Sequence, residues 1–351
     1  MREFDYSKLA DRTWDNEIIS YLAKIHEYKG KQELYLRQKP VELNRLIEIA
    51  KVQSTEASNR IEGIVTTESR LKKLVTDKTT PKNRDEEEIL GYRNVLNLVH
   101  ENYEMIPVKS SYILQMHRDL LKYTNYTYGG RFKTTPNEID MLSDTGEKIV
   151  LFKPLEPYET PEAIEMICRS YQSAVDKESV DELILIPCFL LDFLCIHPFN
   201  DGNGRMSRLL TLLLLYRSGY LVGQFISIEK AIADTKEAYY DALQKADQGW
   251  HEDNNDPKPF IKYMLGIILA CYREFENRIL VVHAAGAKSS AYDIVKTCVS
   301  ERIGMFSKQD VLALCPQLGS SSVEAALKRL VEEGMLARIG AGRKTLYVRA
   351  E

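Results

Sequence analysis

Apolar residues recur at helical spacing along most of the chain, and this pattern predicts a mostly α-helical protein. The N-terminal part contains three such stretches, at 17–28, 41–63 and 85–101. Two later stretches, 181–196 and 205–217, are apolar on nearly every side, which is typical of buried helices. The second is followed by Ser218 and Gly219, and a glycine after the last periodic residue commonly ends a helix. We therefore expect a buried helical pair near the middle of the chain.

Two regions depart from this helical pattern. Residues 126–139 and 148–152 are typical of two short strands around a polar turn at 143–147, and they predict a β-hairpin. Beyond residue 285 the order becomes a capped helix from Ser307, a turn, a helix from Ser320 and a hairpin around Gly340 and Gly342. Helix, turn, helix and hairpin is the order of a winged-helix domain.

Composition limits the class of protein. With 351 residues, 44% hydrophobic and 28% charged, the chain is long enough for two or three globular domains. A net charge of −4 argues against a protein built around nonspecific nucleic-acid binding. The six cysteines form no Cys-x-x-Cys pair and are expected to be reduced core residues. The apolar stretches are shorter than the roughly 20 residues that a membrane-spanning helix needs, so we expect no membrane contact and a cytoplasmic location.

The loop between the two buried helices carries most of the chemistry. It has the sequence His-Pro-Phe-Asn-Asp-Gly-Asn-Gly-Arg-Met-Ser-Arg, residues 197–208. Its glycines open the second helix, where free backbone N–H groups and the positive end of the helix dipole favour an anion such as a nucleotide phosphate. Arg205 and Arg208 are three residues apart, so they share a helix face and can donate to phosphate oxygens.

Two further residues complete this set. Asp201 offers a hard oxygen ligand beside the phosphate site, and Mg²⁺ is commonly held by one carboxylate together with substrate phosphates. His197 titrates near neutral pH and can accept the proton of an attacking hydroxyl. Taken singly, a histidine at a helix end, an Asn-Gly turn and an arginine pair are usually structural. Their occurrence together favours a phosphate-handling site, and no other glycine-rich nucleotide motif is present.

The twelve residues match the signature of the Fic family, His-x-Phe-x-Asp/Glu-Gly/Ala-Asn-Gly/Lys-Arg-x-x-Arg, at every position. The resemblance, which covers about residues 40–280, implies an enzyme that uses ATP and Mg²⁺ to transfer AMP to a hydroxyl of a target protein, releasing pyrophosphate. It also implies roles for single residues: His197 as general base, Asp201 as Mg²⁺ ligand, Gly202, Asn203, Gly204 and Arg205 as the anion hole, and Arg208 as the partner of the ATP γ-phosphate.

A second motif, Ser58-Asn-Arg-Ile-Glu62-Gly63, resembles the inhibitory helix of the family, in the class that carries this helix N-terminal to the core of the same chain. A glutamate paired with Arg208 would occupy the partner of the γ-phosphate and repel a triphosphate. The alternative is an ordinary helix end with a glutamate and a glycine stop. In 237–247, Tyr240 resembles the aromatic residue of the family's purine pocket, although the two adjacent tyrosines can equally be packing residues. Asp247 stands where the family often has asparagine, which puts an amide hydrogen bond to the base in doubt.

The hairpin resembles the Fic flap, which implies that a target protein docks there by strand addition. The alternative is an ordinary surface hairpin. We expect three regions: 1–95 with the inhibitory motif 58–63, a catalytic core at 96–280 with a flap at about 126–153, and a winged-helix domain at 285–351. A symmetric homodimer that covers Glu62 would fit this organisation.

Alternatives to AMP transfer remain open. Residues 300–351 would make the chain a DNA-binding regulator whose Fic-like core senses a nucleotide. The second helix of that module and its wing present polar or basic residues, Ser320, Ser321, Ser322, Lys328, Arg329, Arg343 and Lys344, offset by Glu324, Glu332 and Glu333. Their modest net charge favours protein contacts over DNA. The motif also does not separate AMP addition from AMP removal, with Glu62 orienting a water, or from transfer of another phosphate-containing group.

Overall fold

The structure is a computed structural model, and it describes residues 2–38, 40–142, 148–285, 290–300, 304–315, 318–340, 342 and 345–349. This part of the chain is mostly helical. Its α-helices are α1 Asn16–Gln38, α2 Pro40–Ile61, α3 Glu68–Val75, α4 Arg84–Asn102, α5 Ser110–Leu120, α6 Thr160–Asp176, α7 Glu182–Ile196, α8 Asn203–Arg217, α9 Ile228–Asp234, α10 Lys236–Asp247, α11 Lys258–Ala285, α12 Ala291–Ser300, α13 Lys308–Leu314 and α14 Ser320–Glu332. The strands are β1 Ile139–Leu142, β2 Lys148–Phe152, β3 Phe306–Ser307, β4 Leu336–Ile339 and β5 Leu346–Arg349.

The chain divides into two compact units, one of residues 1–32 and 50–271, the other of residues 33–49 and 272–351. The centre of the first unit is the helix pair α7 and α8, which pack on each other. Nearly every residue of both helices is buried, as the apolar pattern predicted. Helix α6 packs against α7, and α4 packs against α8. The domain boundaries at 95, 96, 280 and 285 stay predictions.

Helix α2 ends close to where the sequence predicted. The backbone N–H groups of Glu62 and Gly63 donate to the carbonyls of Asn59 and Arg60, each at 3.0 Å. Gly63 has φ +78°, a left-handed conformation that glycine adopts without a Cβ penalty at a helix end. The short helix α3, which follows, was not predicted.

The predicted hairpin is present but shorter. Strands β1 and β2 pair antiparallel, with Ile139 opposite Phe152 and Leu142 opposite Lys148. The prediction of a strand from Tyr126 was wrong, since regular pairing begins only at Ile139. Lys133 and Asn137 instead bond to the loop after α7, which commits the two ends of the segment 133–137 to that tertiary contact. The predicted turn 143–147 lies outside the described residues.

The second unit contains the predicted C-terminal elements in the predicted order. Helices α12, α13 and α14 accompany a three-stranded sheet of order β3-β5-β4, whose pairs are antiparallel. Its core includes Phe306, Val311 and Leu327. Ser307 and Asp310 form a capping box at the start of α13, as the sequence indicated. The assignment of this module to the winged-helix class stays a prediction.

The basic side chains of α14 are paired with acidic ones. Lys328 lies 3.8 Å from Glu332, and Arg329 lies 2.8 Å from Glu333. These pairs reduce the positive field that the helix presents to a nucleic acid. Arg343 and Lys344, the predicted basic residues of the wing, lie outside the described residues.

All six cysteines are buried thiols. No helix in the described ranges is both long and apolar enough to span a bilayer.

Candidate functional site

His197 caps the C-terminal end of α7 in a left-handed conformation, with φ 50° and ψ 62°. A non-glycine residue pays about 1 kcal/mol or more for this geometry, which persists only where the surroundings hold it. The Nδ1–H of His197 donates to the Leu194 carbonyl at 3.3 Å. Burial, with the nearby charge of Lys133, lowers the pKa of His197 to about 4. The imidazole is therefore neutral at pH 7, with the lone pair on Nε2, the form that a general base requires.

Residues 133–137 hold the backbone on both sides of His197. Lys133 donates through Nζ to the Ile196 carbonyl at 3.0 Å and through its backbone N–H to the Pro198 carbonyl at 2.9 Å. The amide nitrogen of Asn137 donates to the carbonyl of His197 at 3.3 Å and to that of Phe199 at 3.1 Å. Four consecutive carbonyls are thus bonded from one short segment. Sequence reasoning did not identify Lys133 or Asn137.

Asn203 closes the loop from the other end. Its side-chain oxygen accepts from the Phe199 N–H at 2.9 Å, and its amide nitrogen donates to the Phe199 carbonyl at 2.7 Å. The buried side chain is therefore committed to the loop, and Asn203 has its backbone N–H to offer an anion. Gly202, at φ 85°, provides the left-handed N-cap that turns the loop into α8.

Arg205 is completely buried, and its guanidinium faces α4. It donates to Glu88 at 2.7 Å, and both side chains are at most 2% exposed. Its other terminal nitrogen lies 3.4 Å from an Asp201 oxygen. The two arginines of the motif therefore have different side-chain partners, although their spacing suggested a common one. Arg205 supports Asp201, and Glu88, which the sequence analysis missed, supports Arg205.

Arg208 meets the predicted inhibitory motif directly. Its Nη2 donates to Glu62 Oε1 at 2.6 Å and to the Ser58 carbonyl at 3.0 Å, while Nε donates to Ser58 Oγ at 2.8 Å. The guanidinium is 2% exposed and the Glu62 side chain 34%. Burial favours the neutral carboxyl, but the charge and hydrogen bond of Arg208 outweigh it and keep the pKa of Glu62 below its usual value. Glu62 is ionised at pH 7.

The Glu62 carboxylate lies against the first turn of α8. A Cβ atom added at Gly204 would overlap Glu62 Oε1. The carboxylate thus fills the position where the N-terminal end of a helix favours an anion. The absence of a side chain at Gly204 is what allows this close approach.

Tyr239 and Tyr240 differ in exposure. Tyr239 is 5% exposed and packs on Phe260 and Tyr263, so it is a core residue. Tyr240 is 44% exposed, and Lys236 Nζ lies 5.8 Å from the centre of its ring. Lys236 also donates to the Ile61 carbonyl at 2.9 Å, at the end of α2. Tyr240 is therefore the tyrosine of this pair whose ring is accessible to a ligand near Glu62.

A family model of the Fic/DOC family matches residues 107–215. This stretch, which contains the motif 197–208, is therefore similar to the Fic/DOC family. The chain is 25% identical over 234 residues to the protein adenylyltransferase Fic of Nematostella vectensis, a match that spans 63% of this chain and 48% of that protein. It is 26% identical over 186 residues to the protein adenylyltransferase fic-1 of Caenorhabditis elegans, spanning 52% of this chain and 32% of that protein. The chain therefore corresponds to half or less of either relative.

The fold agrees with this assignment. The structure of a Fic family protein from Desulfovibrio desulfuricans G20 superposes with a TM-score of 0.64 at 20% identity, covering 97% of each chain.

One further residue of the matched stretch 107–215 was missed by sequence reasoning. His117 is fully buried and stacks on Phe199 with ring centres 3.7 Å apart. The Gly130 N–H donates to its Nδ1 at 3.1 Å, so its Nε2 carries the proton and donates to the Asp201 carbonyl at 3.0 Å. Burial lowers the pKa of His117 to about 4, which keeps this arrangement neutral. His117 thereby fixes the backbone of Asp201.

The donors near Asp201 suit a magnesium ion that arrives with a nucleotide. The Asp201 side chain is 39% exposed, and its Oδ1 accepts from the Gly202 N–H at 2.6 Å. One accessible carboxylate beside a phosphate site is the usual protein contribution to Mg²⁺. Among the described residues, no three His, Cys, Asp or Glu side chains form a metal cluster.

Proposed function

We propose that this chain is a protein adenylyltransferase that moves AMP from ATP to a hydroxyl side chain of a target protein, and that Glu62 inhibits it. The observation that carries the proposal is the ion pair of Arg208 with Glu62 at the N-terminal end of α8, beside a neutral His197. The names of the two adenylyltransferase relatives support the same chemistry.

In the proposed reaction, His197 Nε2 accepts the proton of the target hydroxyl as its oxygen bonds to the α-phosphorus of ATP. The bond from that phosphorus to the bridging oxygen breaks, and pyrophosphate leaves. The hydrogen bond from Nδ1 to Leu194 supports this role, because it keeps the base in one tautomer and one orientation.

The backbone N–H groups at the start of α8, including that of Gly204, would bind the phosphates, and Arg208 would bind the γ-phosphate. Asp201 would hold Mg²⁺, which supplies positive charge against the phosphate oxygens. Tyr240 would stack on the adenine, and its accessible ring supports that choice over Tyr239. Arg205 would act through Asp201, since its guanidinium is paired with Glu88.

Glu62 would inhibit by occupying the place of the γ-phosphate. Its carboxylate already satisfies Arg208 and lies on the first turn of α8. A triphosphate that entered the corner between the end of α7 and the start of α8 would meet this negative charge and would bind in an unproductive pose. Ser58 contributes by accepting two further bonds from Arg208.

The flap would dock the target. Strands β1 and β2 form a two-stranded sheet, and a third strand can be added through main-chain bonds. Val150 and Leu151 of β2 are exposed, at 40% and 36%, so they can contact an added segment.

The test uses the full chain with Mg²⁺ and ATP labelled on the α-phosphate. We expect the Glu62→Gly variant to label itself or a protein in cell extract more strongly than the wild type, with an added intact mass of one AMP. The double variant Glu62→Gly/His197→Ala is expected to give no labelling. Labelling that survives the loss of His197, or an added mass other than AMP, would contradict the proposal. Loss of AMP from a pre-labelled target incubated with the wild type would instead indicate AMP removal by hydrolysis.

A further inference from the structure

The backbone around His197 is bonded mainly from outside its own helix. The carbonyls of residues 196, 197, 198 and 199 accept hydrogen bonds from Lys133 and Asn137, and Lys133 Nζ also donates to Asn137 Oδ1 at 2.8 Å. Lys133 is 2% exposed. We call residues 133–137 the carbonyl clamp.

A buried lysine is costly, so its place here needs a physical reason. Burial lowers the pKa of Lys133 to about 8, which shows how poorly the surroundings solvate its charge. Its bonds go to a carbonyl and an amide oxygen, each neutral. No carboxylate among the described residues forms an ion pair with Lys133. The side chain therefore contributes hydrogen bonds to one turn of backbone and a positive charge beside His197.

The backbone turn at His197, which Lys133 holds, has an unfavourable conformation. His197 is left-handed at φ 50°, and its ring orientation depends on that conformation. Strand β1 begins at Ile139, two residues after Asn137. The same short segment thus joins the flap to the backbone that orients the imidazole.

We propose that Lys133 and Asn137 are positioning residues for His197, which hold its left-handed turn from the base of the flap. Their role in catalysis rests on the proposed function, whereas their effect on the His197 ring does not. Neither side chain contacts ATP in the proposed reaction, so both affect it by holding the general base, His197, in place. Target docking on the flap would be transmitted to His197 through this clamp.

The two residues differ in charge, and this difference makes the proposal testable. The groups that face His197 are Lys133, which lowers its pKa, and Glu62 and Asp201, which raise it, together with the Leu194 carbonyl. Replacing Lys133 with methionine removes the charge and the Nζ bonds to Ile196 and Asn137, and it leaves the backbone bond to Pro198 in place. Replacing Asn137 with leucine removes its bonds to the carbonyls of residues 197 and 199 and one acceptor of Lys133 Nζ, but it keeps the lysine and its bond to Ile196.

The first measurement follows the side-chain signals of the six histidines in protein labelled with ¹⁵N-histidine, with His197 assigned by the His197→Ala variant. We expect the His197 pKa to rise in Lys133→Met, to stay unchanged in Lys133→Arg, and to stay nearly unchanged in Asn137→Leu. We also expect its ring to become mobile in Lys133→Met and Asn137→Leu. A His197 pKa and mobility that match the wild type in both of these variants would overturn the proposal.

The second measurement is AMP transfer at saturating ATP in the Glu62→Gly background. We expect Lys133→Met and Asn137→Leu to lower kcat roughly 10- to 100-fold, with the KM for ATP changed less than about twofold. Lys133→Arg should restore most of kcat. The acidic limb of the pH profile should move to higher pH in Lys133→Met only. Unchanged kcat in both variants overturns the catalytic role.

The two failures are distinguishable. If the Glu62→Gly parent transfers no AMP, the proposed function is wrong, and the histidine signals alone decide whether the clamp orients His197. Thermal unfolding identifies a variant that does not fold, and Asn137→Leu then carries the test in place of Lys133→Met.

Discussion

The strength of the inhibition can be worked out from the Glu62–Arg208 contact. The two side chains are bonded at 2.6 Å, with the guanidinium 2% and the carboxylate 34% exposed. A hydrogen bond between charged groups contributes about 1.5–3 kcal/mol, and the partial exposure of Glu62 places it near 2 kcal/mol. If ATP binds productively only when Glu62 has left Arg208, a contact of about 2 kcal/mol lowers the fraction of protein molecules that can bind ATP productively roughly 30-fold.

We therefore expect kcat/KM for ATP to rise about 30-fold in Glu62→Gly. Glu62→Gln keeps an acceptor but loses the charge, so a neutral bond of about 1 kcal/mol remains and the expected gain is about 5-fold. The assay is the initial rate of AMP transfer as a function of ATP concentration at fixed Mg²⁺.

The matched control is Glu56→Gln, on the same helix. Glu56 is about half exposed, and its contact with Arg60 at 3.4 Å is a surface pair with little expected effect. The reasoning is refuted if Glu62→Gly has the kcat/KM of the wild type, or if Glu56→Gln raises it to the same extent.

Three further outcomes follow from the geometry. Gly204→Ala should lower the free energy of unfolding of the wild type by about 1.5–3 kcal/mol, because the added Cβ displaces the Glu62 carboxylate. The same change should lower it much less in the Glu62→Gly background. Equal losses in the two backgrounds would show that the overlap is not with Glu62. Glu88→Gln should lower the free energy of unfolding by about 3–5 kcal/mol, since it removes the buried carboxylate charge that pairs with Arg205 and leaves only the longer contact with Asp201. A loss below about 1 kcal/mol, measured by denaturant unfolding, would contradict this. His117 titrates at about 4 when folded and at 6.5 otherwise, so the unfolded chain binds the proton first as pH falls. The contribution of His117 to the free energy of unfolding is complete above pH 6.5 and is lost as the pH falls to about 4. Over that range the free energy of unfolding of the wild type should fall by up to about 3 kcal/mol more than that of His117→Asn. Equal losses would argue against a neutral buried ring.

The local parts of the site could be predicted from the sequence. The buried helices, the turn at Gly202 and the start of α8 depend on apolar periodicity and on glycines a few residues apart. Ser58 and Glu62 are four residues apart at the end of one helix, so both could be expected on the same side. For these elements, spacing along the chain determines geometry.

The supporting residues could not be predicted in the same way, because they reach the site through tertiary contacts. Glu88 bonds to a residue 117 positions away, His117 to one 84 positions away and Lys133 to one 63 positions away. Three-residue spacing placed Arg205 beside Arg208 but could not reveal which neighbours each would meet. The available signals were a glutamate within the buried part of α4 and a lysine directly after Gly-Gly-Arg-Phe.

The expected first strand shows the same limit. Residues 126–132 include Tyr126, Tyr128 and Phe132, which favour strands, but propensity is a weak guide where tertiary bonds compete. The clamp bonds of Lys133 and Asn137 hold residues 133–137 on the loop after α7, and strand pairing begins only at Ile139.

The central claim is that the corner between α7 and α8 binds a triphosphate beside the His197 base once Glu62 is removed. A crystal structure of Glu62→Gly with Mg²⁺ and a non-hydrolysable ATP analogue tests it most directly. We predict the γ-phosphate within hydrogen-bonding distance of Arg208, the metal on Asp201, and His197 Nε2 directed towards the α-phosphate. A nucleotide bound elsewhere, or a triphosphate in the corner with the imidazole turned away from it, would contradict the account.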